Sequence, residues 1–191
     1  MTFKQFTTLA GNHRMQLVSV ATALVLVVGV SFIGSLVKNA SNAAPIAAST
    51  PTIPVNSLAL SPASGKVAYG SKLRVTLLLN SGSQSVNAVQ AKIDYDPALL
   101  AFDGITEGTA LGLNAATSTE TPGVIRLARA TQQNPITGVN DVVTLEFTVK
   151  SGVNGTAKLT IDQASSFLAR SGDATNILAT VSSGTYSVRG R

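Results

Sequence analysis

Two residue types that carry much of enzyme chemistry are missing or nearly missing from this chain. The sequence contains no cysteine, and its one histidine, His13, lies before the longest apolar segment. Thiol catalysis, disulfide scaffolds, cysteine-based metal sites and His-dependent triads are therefore excluded from the part of the chain after that segment. Carboxylates are the groups that remain for acid–base chemistry or for binding a cation.

A glycosidase would need two of these carboxylates at a fixed separation in a cleft, one of them with a raised pKa. The acids that could form such a pair are Asp94, Asp96, Asp103, Glu107, Asp141, Glu146, Asp162 and Asp173. Most of them fall at turns or at outward positions of predicted strands, where acidic groups are normally solvated. We therefore predict no catalytic residue and no enzymatic activity.

Calcium is the one cofactor that the carboxylates could hold. The candidate ligands are Asp94, Asp96 and Asp103, or the polar loop Asp162–Asn176. Neither group has the dense alternation of acidic residues that an EF-hand loop uses to surround calcium with oxygens. The prediction is that the chain has no cofactor and no metal site, with calcium at one of these two places as the alternative.

Most of the positive net charge comes from the residues before position 57. The sequence has 14 Lys and Arg against 9 Asp and Glu, a net charge of +5. Three of the bases, Lys4, Arg14 and Lys38, precede residue 57, and no acid does, so the remainder carries only +2. Such a balance gives no electrostatic footprint for nucleic acid, and we predict no nucleic-acid partner.

The longest apolar segment, residues 15–37, is 23 residues long and has no charge. A helix that rises ~1.5 Å per residue would cross the ~30 Å hydrocarbon core of a bilayer over that length. Two bases precede the segment and one follows it closely, which favours a cytoplasmic N-terminus over residues 1–14. We predict a single-pass membrane anchor, with two alternatives: secretion after cleavage near Ala43, or a prepilin-type start after Gly11.

Residues 38–56 are small, polar and punctuated by proline, and they predict a linker. From residue 57 to 191 the apolar period becomes two, which is typical of strands with one buried and one wet face. The clearest alternating runs are 72–79, 88–95, 142–149 and 156–161, with shorter strands at 57–61, 124–130 and 185–189. A turn or two of helix is expected only at 110–116. This pattern predicts an all-β fold, a two-sheet antiparallel β-sandwich with jelly-roll topology and about nine strands, preceded by the transmembrane helix.

Four segments of this region resemble cohesin modules, in order and at compatible spacing. Residues 86–100 read VNAVQAKIDYDPALL, which resembles the third strand of a cohesin and its Tyr-Asp-Pro-x-x-Leu exit. Residues 64–70 and the strand after them resemble the family's glycine-containing turn and second strand. The segments 143–150 and 184–188 resemble a later strand and the last strand. The resemblance covers nearly all of residues 57–188.

The resemblance implies a nine-stranded jelly-roll sandwich that binds and does not catalyse. Cohesins hold the dockerin modules of cellulosomal enzymes, and related modules bind carbohydrate. Many dockerin-binding cohesins carry Asn and Asp at outward positions of the third strand, where this chain has Ala88 and Gln90. The sequence therefore predicts the family's fold with the polar anchors for a dockerin missing or weakened.

The Tyr-Asp-Pro motif is predicted to be architectural. Tyr95 is the last of the alternate, inward-facing residues of its predicted strand, so its ring is expected in the core. Asp96 can accept backbone N–H bonds in front of Pro97, which fixes φ and ends the ladder. Leu100 then returns an apolar side chain to the core.

The function that fits best is a non-catalytic, membrane-tethered, extracytoplasmic module that binds a protein partner, a dockerin or another surface protein. The partner-binding candidates are Gln90, Lys92, Arg126 and Glu146. Outward positions expected to complete the same mixed-charge surface are Asp94, Arg129, Thr144 and Thr148. The alternatives are a carbohydrate-binding or adhesive module that uses Tyr69 and Phe167 to bind polysaccharide, and a structural subunit of a surface appendage.

Overall fold

The computed structural model of the protein describes residues 52–119, 121–152 and 154–190. The predicted cytoplasmic segment (1–14), the predicted membrane helix (15–37) and most of the predicted linker (38–56) lie outside these ranges. Within them, none of the helical structure is long and apolar enough to cross a bilayer.

The described residues form two β-sheets packed as a sandwich. The strands are β1 (Ser57–Ser61), β2 (Ser64–Ala68), β3 (Lys72–Asn80), β4 (Val86–Tyr95), β5 (Leu100–Glu107), β6 (Leu113–Ser118), β7 (Val124–Ala130), β8 (Val139–Val149), β9 (Gly155–Ile161), β10 (Phe167–Arg170), β11 (Thr180–Ser182) and β12 (Gly184–Arg189). The five-stranded sheet has the order β11-β1-β3-β8-β5. The seven-stranded sheet has the order β2-β12-β9-β4-β7-β6, and β10 pairs with β4 on the same side as β9.

The predicted all-β sandwich is confirmed, but the predicted antiparallel arrangement is wrong for two strand pairs. β1 runs parallel to β11, and β2 runs parallel to β12. The reason is that the first and last strands of the domain both cross from the five-stranded to the seven-stranded sheet, side by side and in the same direction. The sheets are therefore mixed. β1/β2, β9/β10 and β11/β12 are each one strand interrupted in the middle, and counting each once reduces twelve strands to the expected nine.

The core between the sheets is filled by the inward residues of the alternating runs. Every strand predicted from a period of two is present, with ends within three residues of those expected. Tyr95 joins the two layers, because its ring lies 5.3 Å from that of Phe147 and 6.5 Å from that of Phe102, both in the other sheet. The Asp96 carboxylate accepts the Ala98 N–H at 2.8 Å, which shapes the turn after β4.

The helical turn expected at 110–116 is not formed. Leu113–Ser118 is instead β6, the edge strand next to β7. Leu111 has a φ of 57°, which is incompatible with a right-handed helix. Gly108 passes so close to β8 that an added Cβ would lie 2.4 Å from the Asp141 carbonyl oxygen. The backbone before residue 113 therefore leads into strand β6 and not into a helix.

The residues just before β1 already belong to the sandwich. The Asn80 side-chain amide donates to the Ile53 carbonyl at 2.7 Å. Val55 covers Gly82, where an added Cβ would meet the Val55 Cγ1 at 2.6 Å. The last residues of the predicted linker are thus docked on the turn between β3 and β4.

Arg129 lies on the inward face of β7, not on the outward face predicted for it. The residue is 1% exposed, and the reason is parity: Ile125 and Leu127, at the same alternation, also face the core. Its guanidinium makes two bonds to the Glu107 carboxylate, at 2.8 and 3.0 Å, and so bridges β7 to β5 of the other sheet. It also donates to Asn114 Oδ1 at 2.8 Å and Thr117 Oγ1 at 3.1 Å on β6. One buried side chain therefore ties three strands together.

Replacing Glu107 with alanine is expected to lower the free energy of unfolding by about 2 kcal/mol, because it leaves a buried guanidinium without its carboxylate. Urea unfolding of the full chain measures this loss. Arg74→Ala is the control, since it removes an exposed ion pair with Glu146 and should change stability little. Equal losses in the two variants would contradict the role assigned to the Arg129 bridge.

Candidate functional site

The predicted partner-binding residues are not all on one surface. Gln90 and Lys92 face outward from β4, and Arg126 faces outward from the neighbouring strand β7, with Lys92 directly opposite Arg126. Glu146 lies on β8 in the five-stranded sheet and faces outward from the other side of the sandwich. The structure therefore brings three of the four together and separates the fourth.

The outer face of the five-stranded sheet carries polar side chains that pair with one another across the strands. Three cross-strand contacts span it: Lys72 Nζ to Asp103 Oδ2 at 3.1 Å, Arg74 Nε to Glu146 Oε1 at 2.9 Å, and Thr76 Oγ1 to Thr144 Oγ1 at 3.0 Å. The β3–β8 register creates two of these by placing Arg74 opposite Glu146 and Thr76 opposite Thr144. These six polar side chains are thus paired within the sheet.

The outer face of the seven-stranded sheet is different, because small apolar side chains occupy its centre. The register aligns Ala88 on β4 with Ala130 on β7 and Leu113 on β6, and aligns Gln90 with Ala128 and Ala116. Phe167 on β10 pairs with Gln90 from the other side. We call this surface the alanine face; its residues are Ala88, Gln90, Ala116, Ala128 and Ala130, with Leu113 and Phe167 at its two sides.

Phe167 and Leu113 are the large apolar side chains of the alanine face. Within the described ranges, Phe167 is the one aromatic residue that is not packed in or against the core. Its orientation follows from register, since the next residue, Leu168, pairs with the buried Val89 and faces inward. Leu113 is 45% exposed on the edge strand. An apolar surface of this kind marks an interaction site more often than exposed polar surface does.

Tyr69 and Phe167 are not brought together. Tyr69 follows β2, packs against the core and contacts the Gly190 region at the end of β12. Phe167 lies on β10, next to β4, and β12 lies between β2 and the position in the sheet that β9 and β10 share. The two aromatics predicted for carbohydrate binding thus do not form a shared platform for a sugar ring.

A network of charges borders the alanine face at the ends of β4 and β9. Lys92 Nζ contacts Asp162 Oδ2 at 2.9 Å and Asp94 Oδ2 at 3.4 Å. The hydrogen bonds that Lys92 and Ser165 donate hold the pKa of Asp162 down at about 2. The same bond to Asp162 raises the pKa of Lys92. Gln90 Nε2 donates to the Ser165 carbonyl at 3.4 Å, which joins the network to the alanine face.

An open recess of about 230 Å³ lies where the charges meet the alanines. Its outward side chains are Gln90, Lys92, Ala116, Ser118, Arg126 and Ala128. Pockets for small-molecule ligands and cofactors usually enclose about 300–1,000 Å³. The recess is therefore closer in size to a socket for a partner's side chain than to a substrate pocket.

A family model for the cohesin domain matches residues 58–188, which is more than half of the chain. The chain belongs to the cohesin domain family. No curated protein matches it. The match spans the whole sandwich from β1 to β12, including the strands that carry the alanine face.

Solved structures share this cohesin fold at low sequence identity. CaCohA2 from Clostridium acetobutylicum is 23% identical, with a TM-score of 0.61, and the match covers 69% of this chain and 90% of that one. The sixth cohesin of scaffoldin B from Acetivibrio cellulolyticus, solved with a Cel5 dockerin, is 18% identical, with a TM-score of 0.60 and coverage of 70% and 98%. A non-cellulosomal cohesin from the archaeon Archaeoglobus fulgidus is 17% identical, with a TM-score of 0.56 and coverage of 70% and 90%.

The carboxylates considered as calcium ligands are used for contacts within the cohesin domain. Asp103 pairs with Lys72, Asp94 and Asp162 pair with Lys92, and Asp173 pairs with Arg170. In the part of the chain that the structure describes, no three acidic or histidine side chains converge as metal ligands would.

Sequence reasoning missed most of the alanine face. Alanine has no functional group, so Ala116, Ala128 and Ala130 gave no chemical signal. The available signal was the alternation of inward and outward residues along β7. Ala128 and Ala130 lie two and four residues after Arg126, which was correctly placed outward, so they face the same way. Leu113 was missed because its segment was expected to be helical.

The Asp162 carboxylate should make the stability of the cohesin domain depend on pH in acid. Its folded pKa of about 2 lies below the ordinary value of 3.8, so its contribution is complete above that value and is lost as pH falls towards 2. The raised pKa of Lys92 contributes stability that is complete below the ordinary value of 10.5 and is lost only as the pH rises above it, so it does not vary over the acid range. Unfolding free energies of the wild type and Asp162→Asn, measured from pH 6 down to pH 2, are expected to converge as the pH falls. A difference that stays constant with pH would contradict this assignment.

Proposed function

We propose that this cohesin domain is a non-catalytic protein-binding module and that its partner docks on the alanine face. The observation that carries the proposal is the contrast between the two outer faces. On one face three polar pairs join β3, β5 and β8, whereas the other has Leu113, Phe167 and four alanines at or near the surface. An apolar centre bordered by polar and charged side chains is the usual composition of a protein–protein interface.

The solved relatives support a partner of the dockerin class. The Acetivibrio cellulolyticus cohesin was solved in complex with a Cel5 dockerin. In this chain two outward positions of β4 hold Ala88 and Gln90, where many dockerin-binding cohesins have Asn and Asp. The proposed interface therefore relies on apolar contact more than on hydrogen bonds from β4. We expect the binding surface of its partner to be correspondingly more apolar than that of a dockerin.

A photoreactive residue placed at position 116 of the full chain is expected to cross-link a protein in the source cells. The matched control is position 106, because Ala116 and Thr106 are both exposed on the edge strands of their sheets. Mass spectrometry identifies the adducts. Adding Ala128→Arg should abolish the adduct at 116, since a long charged side chain would then occupy the centre of the face.

Adducts at 106 and not at 116 would show that the partner uses the five-stranded sheet. An adduct at 116 that survives Ala128→Arg would show that contact there does not depend on the alanine face. Retention of the chain on a polysaccharide without any protein adduct would support the carbohydrate-binding alternative instead.

We further propose that residues 15–37 tether the domain to a membrane, with residues 1–14 in the cytoplasm and residues 57–191 outside. The absence of charge over 23 residues and the bases flanking them support this arrangement. The alternative is release of the domain after cleavage near Ala43.

Because the sequence has no cysteine, single cysteines can report the topology directly. A membrane-impermeant maleimide applied to intact cells is expected to label Ser83→Cys, which is exposed on the turn between β3 and β4. Thr8→Cys should react only after permeabilisation. Labelling of Thr8→Cys on intact cells, or a shortened chain in the medium, would contradict the tethered arrangement.

A further inference from the structure

The recess on the alanine face has a floor made of methyl groups. Ala128 and Ala116 are neighbours across the β7–β6 pair, and both face outward into it. Strands lie about 4.8 Å apart, so the two methyl groups together offer a floor about as wide as one branched aliphatic side chain. No side chain of the described residues fills this space, because alanine is too small to do so.

Two cations border the recess, and their surroundings differ. Lys92 already contacts two carboxylates, those of Asp162 and Asp94. Arg126 lies directly opposite Lys92 in the register and is exposed. Among the residues that the structure describes, no carboxylate lies within 4.0 Å of the Arg126 guanidinium.

A guanidinium is the side chain best suited to receive a carboxylate, because its fork of donors matches both oxygens. Such a carboxylate would approach at the border of the recess, next to the methyl floor. Lys92 is already paired with two carboxylates, so the guanidinium of Arg126 is the group that would receive it. The site can therefore bind an aliphatic side chain and a neighbouring carboxylate at the same time.

We infer that the partner inserts a bulky aliphatic side chain over Ala116 and Ala128 and directs an adjacent carboxylate to Arg126. This inference rests on the proposed function and specifies the chemistry of the partner at that face. It names Ala128 as the residue that sets the depth of the socket and Arg126 as the residue that selects for an acidic neighbour.

The simplest probe that carries both groups is N-acetyl-leucine. The full chain, labelled with ¹³C at alanine methyl groups, is titrated with N-acetyl-leucine and followed by NMR. A ligand of about a dozen non-hydrogen atoms is expected to bind with a Kd in the millimolar range. The methyl signals of Ala116 and Ala128 should shift and saturate. N-acetyl-leucinamide should bind several-fold more weakly, because it lacks the carboxylate. N-acetyl-alanine should bind about tenfold more weakly, because its side chain is only a methyl group.

Three variants separate the parts of the inference. Ala128→Leu fills the socket and should remove binding of N-acetyl-leucine, while the spectrum of the core methyl groups shows that the fold is kept. Arg126→Gln should make the acid and the amide bind equally. Thr144→Leu places the same leucine on the outer face of the other sheet and should leave the titration unchanged.

Absence of saturating shifts at Ala116 and Ala128, equal binding of acid and amide by the wild type, or full binding by Ala128→Leu would each overturn the inference. If any of these occurs while the cross-link at position 116 still depends on Ala128, the protein-binding function stands and only this chemistry is wrong. If the cross-link also fails, the proposed function fails with it.

Discussion

The buried guanidinium of Arg129 is the interaction on which the candidate face depends. It reaches Glu107 on β5 and Asn114 and Thr117 on β6, so it fixes the edge strand of one sheet against both β7 and the opposite sheet. β6 itself is almost entirely exposed and contributes little to the core. The Arg129 contacts therefore add to the backbone pairing of β6 with β7, which holds Leu113 and Ala116 beside the outward alanines of β7.

The alternation along β3, β4, β7 and β8 explains why the two sides of the sandwich differ. Inward positions are mostly apolar, so the chemistry of each outer face is set by the residues in between. On β3 and β8 these are long or hydroxyl-bearing side chains that meet across the strands and satisfy one another. On β4, β6 and β7 they include the four alanines, Gln90 and Leu113, with Lys92 and Arg126 at the border, and no strand among the described residues lies over them.

Local patterns predicted the strands well but said little about which strands are neighbours. The runs of β3, β4, β8 and β9 could be located because alternation is a property of a short segment. Glu146 was grouped with Gln90 because both are polar and outward, yet the jelly-roll topology places β8 and β4 in different sheets. Arg129 was predicted to face outward because it is charged. Its position two residues after the buried Leu127 indicated the inward side instead. Leu113 and the alanines became visible as a surface only when the register of β4, β7 and β6 aligned them.

The central claim is that the alanine face is the surface that a protein partner covers. Hydroxyl-radical footprinting of the full chain, alone and bound to its native partner, tests this directly because it reports the solvent access of individual side chains. Leu113 and Phe167 are expected to lose reactivity on binding, whereas Val139, which is 57% exposed on the other sheet, should keep it. Protection of Val139 with no change at Leu113 and Phe167 would contradict the account.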